Sequence, residues 1–185
     1  INKIKETKYR INYLVENKKS SKRYIAKVNL IKSQLETDSQ KHFISNEIRN
    51  LIKLHHTRID KYIAFSFSDF NNEKNLTILA NFMEYKSLSS IIEQEQQGKC
   101  PEKYNNTKRQ IILIGICFGM MYIHKNHILH GNLQADNIYI DDNFQPIISN
   151  YGLTQIFDPD NTINASNYAN LIYIAPEKLK NNQYD

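Results

Sequence analysis

The chain has 185 residues, of which 41% are apolar, and a formal net charge of +5 from 24 basic and 19 acidic side chains. That length fits one domain or one and a half at most, and the apolar fraction is large enough for a packed core, which excludes a disordered chain. The charge is mild and the Lys and Arg residues are scattered, so we expect no nucleic-acid partner.

The number of cysteines favours a reducing compartment, and the hydropathy of the chain argues against a membrane span. Cys100 and Cys117 are too few for the disulfide framework of a small secreted protein. The longest apolar run covers residues 111–123. It is shorter than the ~20 residues that cross a bilayer, so we expect no membrane partner. The chain begins at Ile1 without a signal-peptide pattern. We therefore expect a cytoplasmic piece of a larger protein.

In chain order, the first half predicts mostly strands with one helix. Residues 9–31 contain two short apolar segments around the polar turn NKKSSKR and predict a hairpin. Apolar residues at helical spacing then predict a helix that begins with a cap at Asp38 or Ser39 and ends near His55. Residues 59–67 and 76–83 predict two further strands.

The second half predicts helices and a long loop. Residues 88–96 predict a short helix, and Thr107 is a candidate cap for a longer helix that ends near His124. The longer helix is apolar nearly all round, which is typical of a helix buried in a core. Residues 138–140 and 146–149 predict a small hairpin, and the segment from Tyr151 to Asn170 predicts a loop.

Residues 124–152 read HKNHILHGNLQADNIYIDDNFQPIISNYG and resemble the catalytic loop and metal-binding turn of eukaryotic protein kinases. Downstream, YIAPE at 173–177 resembles the Ala-Pro-Glu end of the activation segment. Upstream, YIAKV matches the strand that bears the phosphate-binding lysine, here Lys27, and NEIRNLIKLHH supplies its helix partner, Glu47. Met83, Glu84 and Tyr85 resemble the family's gatekeeper residue and the start of its hinge.

The resemblance covers essentially the whole chain and implies a two-lobed α+β fold. Residues 1–83 would form a β-rich N-lobe with one helix, residues 84–86 the hinge, and residues 87–185 a mainly helical C-lobe. That C-lobe would be incomplete, because the family's domain continues past the Ala-Pro-Glu motif.

The catalytic positions depart from the family's pattern. The aspartate that orients the attacking hydroxyl falls at Asn132, whose amide cannot accept a proton, and the neighbouring lysine falls at Gln134. The principal Mg²⁺ carboxylate falls at Asn150, a weak ligand for a hard cation. The second metal ligand, Asn137, is retained, and Gly131 replaces an arginine that pairs with phosphorylated activation loops. We expect these residues to hold no metal.

The nucleotide-binding positions depart as well. Three residues with side chains replace the glycines of the family's phosphate-covering turn: Lys5, Thr7 and Arg10. Side chains there block the close approach of backbone N–H groups to phosphate. The purine slot would contain Ile25 and Tyr139, both large enough to fill it.

The retained residues favour an architectural role. We interpret Lys27 and Glu47 as a structural ion pair between strand and helix. The family's regulatory stack would consist of ring-bearing or aliphatic side chains: Leu51, Tyr62, His130 and Tyr151.

The sequence therefore predicts a pseudokinase that acts as a scaffold or allosteric module on a protein partner, in an oligomeric state that the sequence leaves open. One alternative is a divergent active Ser/Thr kinase whose metal site is rearranged around Asp136, Asp141 and Asp142. A second alternative is a nucleotide sensor that binds ATP through Lys27 without metal, and a third is a decaying gene product. If the chain is a pseudokinase, we expect it to bind no cofactor. The sequence leaves ATP binding open, and we do not expect Mg²⁺ to bind.

Overall fold

A computed structural model describes residues 1–6, 10–30, 37–99, 104–157 and 173. The chain divides into two compact units, Ile1–Glu84 and Tyr85–Asp185. Thr7 and the Ala-Pro-Glu residues 175–177 lie outside the described residues.

The first unit is built on a five-stranded antiparallel sheet with the order β1-β2-β3-β5-β4. Its strands are β1 (Asn2–Glu6), β2 (Arg10–Glu16), β3 (Arg23–Asn29), β4 (Tyr62–Ser66) and β5 (Thr77–Asn81). The predicted hairpin is confirmed as β2 and β3, and the two later strands as β4 and β5. The sequence did not predict β1, because its residues are all exposed and show no buried face.

The core of this unit lies around the central strand β3. Ala26 and Val28 of β3 and Ile78 and Ala80 of the neighbouring β5 are almost fully buried. Small and β-branched side chains on adjacent strands pack closely, and such cross-strand contacts stabilise a sheet. This places Lys27, between Ala26 and Val28, in the best-packed part of the unit.

Helix α1 (Asp38–Lys53) buries its apolar side and contacts β4. The helix was predicted, but its cap was wrong: the N-cap is Thr37, neither Asp38 nor Ser39. The Thr37 hydroxyl accepts a hydrogen bond from the Gln40 N–H at 3.2 Å, and the Gln40 side chain accepts one from the Thr37 N–H at 3.0 Å. This reciprocal capping box satisfies two backbone donors and fixes where α1 begins.

The second unit combines helices with a three-stranded sheet of order β6-β7-β8. Its strands are β6 (Lys86–Ser87), β7 (Ile138–Ile140) and β8 (Pro146–Ile148), so the predicted hairpin is confirmed and gains a short third strand. Its helices are α2 (Leu88–Gln96), α3 (Asn106–Lys125) and α4 (Leu153–Phe157). A 3-10 turn at Ala135–Asn137 leads into β7. The α+β class expected from the sequence is thereby confirmed.

Two predictions about α3 were wrong. Its N-cap is Asn105 and not Thr107, since the Asn105 side chain accepts a hydrogen bond from the Lys108 N–H at 3.1 Å. The helix is also not buried all round among the described residues. One narrow stripe is buried, and four large apolar side chains are each more than half exposed: Leu113, Ile114, Phe118 and Met121. Apolar composition alone does not show which face a neighbour covers.

The loop predicted from Tyr151 to Asn170 was wrong at its start, because residues 153–157 form α4. Most of that helix is buried, including Leu153, Ile156 and Phe157. Residues 158–170 lie outside the described part of the chain. No helix within the described part has the length and apolarity needed to span a membrane.

Candidate functional site

The hairpin of the second unit brings three of the predicted site residues into one hydrogen-bonded chain. The Asn150 side-chain NH₂ donates to Asn137 Oδ1 at 2.7 Å. The Asn137 NH₂ in turn donates to the main-chain carbonyl of Asn132 at 2.7 Å. The Ser149 N–H also donates to the Asn137 carbonyl, at 2.8 Å. We call the Asn150–Asn137–Asn132 connection the amide chain.

The hydrogen-bond partners fix the orientation of both side-chain amides. A main-chain carbonyl can only accept, so Asn137 must present its NH₂ to Asn132. Its Oδ1 therefore faces Asn150 as an acceptor, and Asn150 must present its own NH₂. Asn137 and Asn150 are both buried, and this pairing satisfies one polar atom of each side chain. The oxygen of Asn137 that the resemblance assigns to metal thus already accepts a protein hydrogen bond.

Backbone conformation holds the ends of the amide chain. Asn150 has φ of 64°, in the left-handed region that asparagine tolerates better than most residues. Gly131, next to Asn132, has φ of 75°. A Cβ built there would lie 2.8 Å from Thr154 Cβ of α4, too close for any side chain without movement. The position where the family carries an arginine is therefore closed by α4.

The backbone at Asn132 is anchored on a buried histidine. The Asn132 N–H donates to Nδ1 of His130 at 3.2 Å, and His130 is 3% exposed. Gln134 precedes the 3-10 turn, and its carbonyl accepts from the Asn137 N–H at 2.9 Å. Tyr139 is half-buried on β7, opposite Ser87 of β6 and Ile147 of β8.

Nearby aspartates hold the loop and do not assemble around the amide chain. Asp136 accepts from the Ser89 hydroxyl at 2.8 Å. Asp141 Oδ1 accepts from the N–H groups of Asn143 and Gln145 at 2.9 and 2.7 Å, which closes the β7–β8 turn. Among the residues that the structure describes, no three His, Cys, Asp or Glu side chains form a group able to hold a metal ion.

The first unit pairs Lys27 with a residue that the sequence analysis missed. Lys27 Nζ lies 3.3 Å from Asp60 Oδ2, and the two residues are 4% and 3% exposed. The predicted pair with Glu47 was wrong, since the ion pair that the structure records for Lys27 is with Asp60. Glu47 lies on α1 and is half-buried. Asp60 lies two residues before β4, so the segment that leads into β4 supplies the counter-ion, and α1 does not.

Burial disfavours the charged form of Lys27, and a neighbouring carboxylate favours it. Burial lowers the pKa of Lys27 below its ordinary value of 10.5, the Asp60 carboxylate opposes that shift, and the positive charge of Arg10 adds to it. The Lys27 ammonium also lies 5.1 Å from the ring centroid of Tyr62, which is fully buried. A buried ammonium in such a setting needs a close anion, and Asp60 provides it.

The other residues of the first unit that were predicted to bind nucleotide are half-buried or exposed on β1, β2 and β3. Ile25 is half-buried on β3, opposite Leu14 and Ala80. Lys5 is exposed on β1, and Arg10 is half-buried at the start of β2. Their roles toward a nucleotide stay predictions.

The hinge residues lie at the boundary between the units. Met83 is half-buried, and Glu84 is exposed and forms an ion pair with Arg23 of β3. The Arg23 guanidinium also lies 4.8 Å from the Phe82 ring centroid. Tyr85, the first residue of the second unit, is 36% exposed. A hinge role for residues 84–86 stays a prediction.

The four residues of the predicted regulatory stack are all buried: Leu51, Tyr62, His130 and Tyr151. Two belong to each unit. Their burial is consistent with an internal role, while the stack itself stays a prediction.

Comparison with known proteins gives a family match over nearly the whole chain. The family model described as protein tyrosine and serine/threonine kinase matches residues 3–185. MAP kinase kinase kinase mkh1 of Schizosaccharomyces pombe is 31% identical over 143 residues, which cover 75% of this chain and 12% of that protein. Serine/threonine-protein kinase CLA4 of Candida albicans is 27% identical over 177 residues, which cover 94% of this chain and 17% of that protein.

A plant protein is similar to the same degree. Cysteine-rich receptor-like protein kinase 26 of Arabidopsis thaliana is 29% identical over 147 residues, which cover 75% of this chain and 21% of that protein. The chain thus spans only a small part of the length of these relatives. Because the family model matches residues 3–185, this chain belongs to the protein tyrosine and serine/threonine kinase family.

Proposed function

We propose that this chain is a catalytically inactive kinase-like domain, a pseudokinase, that acts as a scaffold or allosteric module by binding a protein partner in the cytoplasm. The observation that carries the proposal is the amide chain. Asn150 and Asn137 occupy the positions that the family uses for metal, and they bind each other at 2.7 Å.

The amide chain supports the absence of a Mg²⁺ site. Mg²⁺ requires near-octahedral oxygen ligands and favours carboxylates. Asn137 Oδ1 already accepts a hydrogen bond, and the Asn150 amide group that faces it is a donor. A metal would have to break that bond and turn the Asn150 amide over. The residues present therefore do not fit the ion, and we derive no metal-dependent step.

The catalytic-loop position supports the same proposal. Asn132 has a neutral side chain, which cannot accept the proton of an attacking hydroxyl. Loss of a general base typically costs about 10²–10⁴ in rate. Together with the lost metal ligand, this leaves neither of the two electrostatic groups on which phosphoryl transfer depends.

The test is a pair of measurements on the unmodified chain. We expect no phosphorylation of a generic Ser/Thr/Tyr peptide mixture, and no Mg²⁺-dependent rise in melting temperature with millimolar ATP. A ligand that binds only the folded state raises the melting temperature by mass action, so binding would be visible. A clear rise that requires Mg²⁺ would contradict the proposal.

A variant that restores both carboxylates tests which of two causes explains the inactivity: the missing carboxylates or a blocked nucleotide site. We expect Asn132→Asp/Asn150→Asp to stay inactive, because Ile25 and Tyr139 are unchanged and the phosphate-covering turn still lacks glycine. The matched control is Asn143→Asp in the β7–β8 turn. Robust peptide phosphorylation by the double variant, but not by the control, would show that the loss is confined to two side chains.

A metal-independent nucleotide sensor is the second candidate, and one observation favours it. Two cations, Lys27 and Arg10, lie close enough for the charge of Arg10 to lower the pKa of Lys27. Such a pair would attract a polyphosphate. ATP-dependent stabilisation of the unmodified chain in excess EDTA would favour the sensor. Relatives named as kinases keep a divergent active enzyme as the third candidate.

A further inference from the structure

Asp60 carries a role that the kinase-like motifs do not assign. It lies between helix α1 and strand β4, outside every motif used to align the chain with the family. Its carboxylate is nevertheless the recorded ion-pair partner of Lys27, the residue at the family's phosphate-binding position.

The pair is part of the core of the first unit. Lys27 lies on β3 between Ala26 and Val28, which are 0% and 1% exposed. Its ammonium is 3.3 Å from Asp60 and 5.1 Å from the centre of the Tyr62 ring. A charge in such surroundings is held by whichever anion lies closest, because the low dielectric strengthens the attraction and makes separation costly.

Asp60 therefore occupies the contact that an external anion would make. A phosphate oxygen and the Asp60 carboxylate are both anionic acceptors for the same ammonium. Glu47, the other carboxylate expected at this position, lies on α1, and the structure does not pair it with Lys27. Lys27 is thus already neutralised from within its own unit.

We propose that Asp60 is an internal counter-ion that excludes phosphate ligands from Lys27, and that the Lys27–Asp60 pair is an autoinhibitory contact. The ligand class is a polyphosphate anion, such as the triphosphate of a nucleotide. The proposal rests on the proposed function in one respect, the assignment of Lys27 to the family's phosphate-binding position.

The experiment compares two isosteric carboxylate-to-amide variants, Asp60→Asn and Glu47→Gln. The probes are inorganic tripolyphosphate and ATP, each in excess EDTA and titrated from micromolar to millimolar. The readout is the melting temperature, with sodium chloride at matched ionic strength as the salt control. Asp60→Asn should bind both probes about tenfold more tightly or better, because removing a competing state restores the fraction of molecules that can bind.

The unmodified chain and Glu47→Gln should show no response to either probe. The double variant Lys27→Met/Asp60→Asn should also show none, because the ammonium that receives the phosphate is gone. A response in that double variant would mean that the anion binds elsewhere on the basic surface, and would overturn the proposal. Equal responses of Asp60→Asn and the unmodified chain would overturn it as well.

If Asp60→Asn does not melt cooperatively, the experiment stays decisive. Tripolyphosphate should then restore a cooperative transition, since an anion that binds only the folded state shifts the equilibrium toward it. Failure to restore it would overturn the proposal. A different result would contradict the proposed function: a rise in the melting temperature of the unmodified chain with ATP that requires Mg²⁺. The two failures can therefore be told apart.

Discussion

The two units bury polar groups by opposite means. The first unit buries a full ion pair, Lys27 with Asp60, between residues 33 positions apart. The second buries the neutral amide chain, whose members lie 5 and 13 positions apart. An ion in a core depends on its counter-ion, whereas an amide depends only on hydrogen bonds. The two regions should therefore respond differently to loss of charge, loss of a hydrogen bond and change of pH.

The largest difference is expected from isosteric charge removal in the first unit. Asp60→Asn removes the recorded counter-ion of the buried Lys27, which should lower the free energy of unfolding by about 3–5 kcal/mol. Glu47→Gln, the matched control, should change it by no more than about 0.5 kcal/mol, since the structure does not pair Glu47 with Lys27. Urea denaturation of the three proteins measures both values.

The doubly apolar variant tests the reason for that loss. Lys27→Met/Asp60→Leu removes both charges together, and we expect it to cost far less than Asp60→Asn because no unpaired ion remains. Equal losses from Asp60→Asn and Glu47→Gln would show instead that both carboxylates serve Lys27, and the contrast between the units would weaken.

A smaller loss is expected in the second unit. Asn137→Ala removes the side-chain acceptor for Asn150 and the side-chain donor to the Asn132 carbonyl, so each of these groups loses one hydrogen bond. The expected cost is about 1–3 kcal/mol in the free energy of unfolding. Asn143→Ala in the exposed β7–β8 turn is the control and should stay within about 0.5 kcal/mol. A loss as large as that of Asp60→Asn would mean that the amide chain behaves like a charged site.

The smallest expected effect is a dependence of stability on pH. The pKa of Lys27 in the folded chain is lowered from 10.5, chiefly by burial. Between the lowered value and 10.5 the unfolded chain binds a proton that the folded chain has released, so stability should rise with pH. This contribution is complete above 10.5 and is lost as pH falls through the folded pKa.

The measurement is urea denaturation from about pH 7 to about pH 10. The unmodified chain should gain stability relative to Lys27→Met/Asp60→Leu as the pH rises. Asn137→Ala should keep the slope of the unmodified chain, because the amide chain has no titrating group. A slope shared by the doubly apolar variant would assign the effect to other residues.

The sequence predicted the elements that carry a strong pattern. The β2–β3 hairpin follows from two apolar segments around a polar turn, and α1 from apolar residues at helical spacing. It missed β1 and β6, because NKIKE has no buried face and β6 has only two residues. It also overestimated the burial of α3, since a helix that is apolar all round does not reveal which stripe meets the core.

The sequence predicted a site residue only where that residue falls at a defined position of a kinase-like motif. Asn132, Asn137 and Asn150 were identified from motif positions, and the structure joins them in the amide chain. Asp60 was missed because none of the kinase-like motifs includes it, although it falls in the predicted strand 59–67. One signal was present: Asp60 lies two residues before the apolar strand YIAFS, where a buried charge needs a partner.

The 33-residue separation of Lys27 and Asp60 has a consequence for the order of folding. Closing that segment costs about 0.8 kcal/mol more chain entropy than closing the 13 residues between Asn137 and Asn150. The Lys27–Asp60 segment also contains all of α1. We therefore expect the ion pair to form late, after the amide chain. A contact that forms after the rate-limiting step slows unfolding and leaves folding nearly unchanged, so Asp60 protects the lifetime of the folded unit.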